Sequence, residues 1–467
     1  MPSGKITPDS PPTHPVEIDY AAHARSQGIF EDWVRKMEHP STEAEISNIV
    51  QEHTKEKPDE VRFHAQDTYN RSYRVKFNNG IPDVLVKFAA EGRCMLPYDK
   101  IWHEAITMNY LRLTTKIPIP ILLVYGKSRL GAFMIVEFIE GEPLSEYLRE
   151  LNDNLKIEAP HVLGPKVNIQ NLRLVYRPMA EILSQLYDLD FPEIGGYIGT
   201  SKPFLVPPIT RARTEIFRFA NVPEKMLSPH ARFKDASQYL TSRAEDLMYH
   251  FILQANNAIL DEDDCQKKFI ARCLFRRVAG RISTTFAKGP FKLYCDGFGP
   301  SNVLVDQVLN VRAVVGWEFT YAAPVEFAHC SPWWLLLTAP EDEDDEGLDN
   351  FLVQYEARHK IFIEVLREYE IERERSGHAL KERLSDHMAR SLETGNVWVL
   401  AAASSAYTFD RIFWKFIYPK YYGHLIPGQD LRDLLTSGER NRMGAAVSVK
   451  MKQKERGVLH HSDVPNN

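Results

Sequence analysis

The chain has 467 residues, 44% of them hydrophobic and 26% charged, enough to bury the core of one large domain or two ordinary ones. A net charge of −6 leaves no basic footprint for nucleic acid across the whole molecule, so no nucleic-acid partner is expected. Five scattered cysteines, Cys94, Cys265, Cys273, Cys295 and Cys330, are odd in number and lack C-x-x-C spacing, which argues against both a disulfide framework and a zinc site.

In chain order, a proline-rich stretch over residues 1 to about 17 reads as a disordered arm, and a helical pattern follows to about residue 55. The arm lacks the charged-then-apolar pattern of a secretory signal. No run reaches the ~18 apolar residues of a membrane helix, so the expectation is a cytoplasmic protein with no membrane partner.

Residues 60 to 77 alternate like two strands around a glycine-free turn at Thr68 to Arg71. The apolar run Val84 to Phe88 predicts a third strand, and Glu104, Met108 and Leu111 mark a helical face. Beyond Gly141, apolar residues recur every three or four positions over 172–189, 236–260 and 265–282, predicting long amphipathic helices. The acidic run 341–349 lacks the spacing of a calcium loop and reads as a solvated loop. Helices are expected again over 350–375 and 398–423, and from about residue 438 the chain turns polar and basic, as a mobile tail would.

The expected organisation is therefore an N-terminal arm and helix over 1–55, a small β-rich lobe over 56–140, a helical lobe over 141–435 and a basic flexible tail over 436–467. The fold class is α+β and bilobal, with a small antiparallel β N-lobe and a large helical C-lobe.

The segment from Phe291 to Pro324 carries the chemistry. It matches lines reading roughly C-D-D-x-x-P-S-N-V-L-V-D and I-D-W-E-F-T-Y-A-A-P at Cys295, Asp296, Pro300 to Asp306, Trp317 to Tyr321 and Pro324. On these motifs the chain resembles the aminoglycoside phosphotransferase-like family, which has a protein-kinase-like fold, in its fungal branch. The resemblance runs from about residue 60 to residue 425. It implies an ATP cleft in which Lys87 pairs phosphate, Glu104 is the acidic partner of that lysine, and Glu137 leads into the interlobe hinge.

Two departures fall on the positions that do the work. A kinase-type loop places its catalytic Asp five residues before a metal-binding Asn and a second metal-binding Asp one hairpin later. Counting back from Asn302 gives Gly297, and the residue before Trp317 is Gly316. Both the base position and the main metal-ligand position are vacant. ATP binding remains an expectation of the resemblance, with magnesium bound weakly or not at all, because Asn302 alone offers a neutral oxygen to a hard cation. The resemblance thus implies an impaired pseudo-phosphotransferase acting by binding a small molecule or protein. The alternative is an active ATP-dependent kinase of a small-molecule hydroxyl, with Asp296 standing in for the base and Glu318 for the metal ligand.

Overall fold

The computed structural model describes residues 16–78, 80–153, 167–198, 204–220, 222–227, 232–283, 285–337, 345–426 and 429–455. Two helices, α1 (Tyr20–Met37) and α2 (Thr42–Thr54), precede five strands and a helix: β1 (Glu60–Gln66), β2 (Asn70–Lys76), β3 (Val84–Ala89), α3 (Pro97–Thr114), β4 (Leu122–Ser128) and β5 (Gly131–Glu137). The strands form one antiparallel sheet in the order β1-β2-β3-β5-β4.

Period-two alternation sorts the side chains of this sheet. Val84, Val86 and Phe88 of β3, with Phe133 and Ile135 of β5, face Trp33, Met37, Ile46 and Val50 of α1 and α2. Met134 and Val136 face the other way, into the core that holds Ile101, Ala105, Met108 and Leu111 of α3. Lys87 lies between Val86 and Phe88 and so points toward α3. The lobe boundary expected at residue 55 is therefore corrected: α1 and α2 are part of the N-lobe core, because the sheet needs a cover on its second face. The stretch before α1 is tied down as well. Asp19 caps α1 through Ala21 N and Ala22 N and also accepts from Ala255 N and Asn256 N of the C-lobe. The proline-rich residues 1–15 lie outside the described residues.

The C-lobe begins at β6 (Glu142–Pro143) and α4 (Leu144–Asp153), followed by α5 (Ile169–Tyr187), β7 (Asp190–Phe191), the β8 (Gly196–Ile198) and β9 (Phe204–Val206) pair, α6 (Arg211–Phe219) and the short α7 (Glu224–Leu227). Two long helices, α8 (Ala236–Leu253) and α9 (Glu262–Ala279), pack together and lead to β10 (Phe291–Cys295), β11 (Val303–Val305), β12 (Val311–Val314), β13 (Thr320–Ala323) and α10 (Val325–Ala328). The lobe closes with α11 (Asp345–Arg375), α12 (Leu384–Thr394), α13 (Asn396–Ser404), α14 (Phe409–Ile412), a π-turn at Phe413–Ile417, α15 (Tyr418–Tyr421) and α16 (Ser437–Glu455).

Together these elements make an α+β, two-lobed fold with a small antiparallel sheet and a large helical part. Three expectations need correction. The stretch 398–423 is several short pieces rather than one helix, broken at Ser405 and again at the π-turn. Of the acidic run, Asp345 to Asp349 begins α11, while 341–344 lie outside the described residues. The tail is not free over Ser437–Glu455: Met443, Val447 and Lys450 are buried, α16 packs on α9, and Lys450 Nζ donates to Gln254 O. Residues 456–467 lie outside the described residues.

Candidate functional site

The two loops of interest are brought side by side by strand register. β10 pairs antiparallel with β13, with Cys295 opposite Thr320, so the segment after Cys295 and the segment before Thr320 leave the sheet together. Asp296 N donates to Phe319 O at 3.3 Å, which extends the pairing one step beyond the strands. The β11–β12 hairpin separates Asn302 from Gly316 in sequence and returns them to contact: Val315 N donates to Asn302 O at 2.8 Å.

At the N-lobe side, Lys87 of β3 and Glu104 of α3 form a buried ion pair, with Nζ 2.8 and 2.9 Å from the two carboxylate oxygens. Glu318 completes a larger cluster. Its Oε2 lies 3.2 Å from Lys87 Nζ and 2.6 Å from Lys100 Nζ, and it accepts from Asn70 Nδ2 at 2.8 Å. Lys100 also donates to Asn70 Oδ1 at 2.6 Å, and its side chain is fully buried. Two ammoniums and two carboxylates thus cancel within one enclosed group. Paired and hydrogen-bonded charge of this kind is the form in which buried ions are tolerated.

Electrostatics follow from that packing. Burial would raise the Glu318 carboxyl, but the Lys100 ammonium, and then that of Lys87, outweigh it and hold its pKa far below the usual carboxylate range. Burial likewise works to lower Lys87, yet Glu104 and then Glu318 prevail and push it up. The glycine-free turn between β1 and β2 is stitched to the same group. Asp67 accepts from Tyr69 N and from the backbone and side chain of Asn70, and the Tyr69 ring stands edge-on to Phe319 at 5.0 Å. Phe319 itself sits at φ 57°, a strained value for a bulky residue.

The two glycines differ in their surroundings. Both hold positive φ, 112° at Gly297 and 74° at Gly316. A Cβ at Gly297 would meet nothing nearer than Arg211 Nη1 at 4.0 Å. A Cβ at Gly316 would overlap the Asn302 side-chain amide. Asn302 has turned into the place an aspartate would fill, and its Oδ1 accepts from Gly299 N at 2.9 Å.

The remaining site residues of the sequence reading are also placed. Asp296 Oδ2 accepts from Arg211 N, at the first residue of α6, at 3.1 Å, and burial raises its carboxyl. Glu137 joins neither group. Its Oε2 accepts from Ile121 N at 3.2 Å and braces the start of β4. The sequence reading missed Lys100, Asn70 and Arg211. Lys100 was findable, since it precedes Glu104 by four residues and so shares its helix face.

These residues do not fit a magnesium nucleotide. Asn302 Oδ1 accepts from Gly299 N, Glu318 Oε2 rests on Lys100, Lys87 and Asn70, and Lys87 therefore carries Glu318 in addition to its partner Glu104. Among the described residues no group of three His, Cys, Asp or Glu is placed to hold a metal ion, and no helix is long and apolar enough to cross a membrane.

A cavity of about 500 Å³ opens on the other side of the loop, lined by α4, α5, the start of α6, residues 293–301 and the α10–α13 region. Lys87, Glu104, Asn302 and Glu318 do not line it.

No protein-family model matches the chain, nor does any curated protein. Several solved structures are similar to it. An aminoglycoside phosphotransferase in a ternary complex with AMP-PNP and hygromycin B is 16% identical, with 80% of this chain and 98% of that chain covered and a TM-score of 0.40. Plasmodium vivax ethanolamine kinase is 12% identical, with 92% and 96% covered and a TM-score of 0.42. A spectinomycin phosphotransferase in complex with ADP and spectinomycin is 11% identical, with 89% and 95% covered and a TM-score of 0.36.

Proposed function

We propose that this chain is an aminoglycoside phosphotransferase-like protein of the fungal branch that has lost phosphoryl transfer and acts by binding, in the cytoplasm. Membership is supported by the motifs at Pro300 to Asp306 and Trp317 to Pro324, and the compartment by five free thiols. The observation that carries the loss of transfer is the seat of Glu318. Its carboxylate rests on Lys100 and on Lys87, the lysine to which the resemblance gives a nucleotide phosphate, while no acid stands at 297 or 316.

Phosphoryl transfer needs a carboxylate to orient the acceptor hydroxyl and others to hold the metal that neutralises the phosphates. Asp296, the nearest candidate for the first role, is held at the α6 N-terminus. Glu318, the nearest for the second, is held by two lysines. ATP without magnesium is a weak ligand in this reading, since it must displace Glu318 from Lys87.

The test is ATP turnover by the purified chain with magnesium present. The reading expects no hydrolysis above the buffer rate. Turnover approaching the ~1–100 per second of working kinases would instead establish the active-kinase alternative with displaced carboxylates.

A further inference from the structure

Three basic side chains gather at the seam between α1 and α6. His23, Gln27 and Phe30 recur at steps of four and three and so share one face of α1, which packs on α6. Arg93, from the loop between β3 and α3, reaches that face. Its Nη2 donates to Gln27 Oε1 at 2.6 Å, and its guanidinium lies 4.1 Å from the centre of the Phe30 ring. Arg218, in the last turn of α6, holds its guanidinium 4.3 Å from the Phe219 ring and 5.9 Å from the Tyr69 ring. The His23 imidazole stands 5.8 Å from the same Phe219 ring.

These groups are near enough to act on one another. Burial and then the Arg218 charge lower Arg93, and burial followed by Arg93 and Arg218 lowers His23. An acid would ordinarily relieve such repulsion, yet among the described residues neither arginine forms an ion pair. The nearby carboxylates are engaged: Glu31 accepts from Gln27 Nε2 at 2.7 Å, and Glu215 from Arg211 Nε at 2.8 Å.

The depth of Arg218 is the independent sign of a ligand. The residue is 6% exposed and its Nε is sealed off without a hydrogen-bond partner, so the access it has lies at its two Nη atoms, which have no partner among the described residues either. A guanidinium this deep without an acceptor is costly, and an anion from solvent can supply one. Arg93 has Nε and Nη1 to offer as well, since only its Nη2 is engaged. Two such forks carry two charges and match the oxygens of a phosphate dianion, whereas a monoanion neutralises half of them.

We infer that Arg93 and Arg218, with His23 as a third donor, form a binding site for the phosphate dianion of a small phosphomonoester. None of the three lines the cavity behind the loop or joins the Glu318 cluster, so the site is separate from both. It stands whether or not the chain transfers phosphoryl groups.

The probes are phenyl phosphate, inorganic phosphate and benzenesulfonate, each titrated calorimetrically into the full chain at low salt and pH ~8, where a phosphomonoester is a dianion. Phenyl phosphate should bind one molecule per chain, about tenfold or more tighter than the singly charged sulfonate. Tighter binding of inorganic phosphate than of phenyl phosphate would overturn the assignment to a monoester. Arg218→Gln should weaken phenyl phosphate at least about tenfold. Arg93→Gln, at a half-buried position, should do the same and carries the test where Arg218→Gln fails to fold. Arg173→Gln, on the far exposed pair with Glu364 and Glu368, should leave the affinity within about twofold. Absence of phenyl phosphate binding, equal affinity for the sulfonate, or binding that survives in the folded Arg93→Gln chain would overturn the inference.

Discussion

Lys100 Nζ lies 2.6 Å from Glu318 Oε2, joining a fully buried ammonium on α3 to a carboxylate two residues beyond Gly316. The contact ties the N-lobe helix to the C-lobe loop, and Asn70 adds the β1–β2 turn to the same knot. Lys87 retains Glu104 when Glu318 is removed, whereas Lys100 keeps only the neutral Asn70 among its hydrogen-bond partners described above.

Glu318→Ala should therefore destabilise the fold, by roughly 3–5 kcal/mol as for other broken buried pairs. Glu318→Gln, which keeps an acceptor for Lys100 and Asn70, should lose less. The same change uncovers Lys87, so pyrophosphate should raise the melting temperature of the folded Glu318→Gln chain further than that of the wild type. Urea denaturation of the three chains, and a pyrophosphate titration of two, check this. Equal stability of all three would mean that the cluster contributes nothing net.

Acid sensitivity gives a second handle. The folded pKa of Glu318 is depressed, so its stabilisation is complete above the unfolded value of ~4.3 and drains away as pH falls toward the folded one. Unfolding free energy followed from pH 5 downward should fall more steeply in the wild type than in Glu318→Gln, by up to ~1.4 kcal/mol per pH unit. Parallel acid limbs would contradict the assignment of that depression to Glu318.

The glycines should respond unequally to aspartate. Both positions pay for positive φ, about 1–2 kcal/mol. Gly316→Asp must also expel the Asn302 amide and break its hydrogen bond to Gly299 N, adding about 1 kcal/mol. In an Asn302→Ala background the extra penalty at 316 should shrink, a coupling that a double-mutant cycle measures directly. Identical costs at 297 and 316, with no coupling to Asn302, would show that the amide does not fill the vacated place.

Much of this was legible in the sequence. The family resemblance pairs Lys87 with Glu104, the count back from Asn302 reaches Gly297, and the residue before Trp317 is Gly316. What one chain of letters hides is where a freed side chain goes. Nothing in the spacing says that Asn302 turns into the gap at Gly316, or that Asp296 bonds to Arg211, 85 residues earlier. Composition misled at α16, where Met443, Val447 and Lys450 make a buried stripe at steps of four and three within an otherwise polar run. The pieces of 398–423 were unreadable for a related reason: apolar residues on every side fit several backbone paths equally well, and packing chose among them.

The most direct measurement is a thermal titration of the wild-type chain with ATP, once with magnesium and once with the metal chelated. Stabilisation follows the ratio of ligand to its Kd, reaching about 2.7 kcal/mol at a hundredfold excess. With Asn302 and Glu318 both committed to protein partners, magnesium should change ATP affinity by less than about tenfold, or ~1.4 kcal/mol. A strong gain in ATP stabilisation on adding magnesium would mean that Glu318 or Asp296 leaves its present partners to hold the metal, and would contradict a site closed on itself.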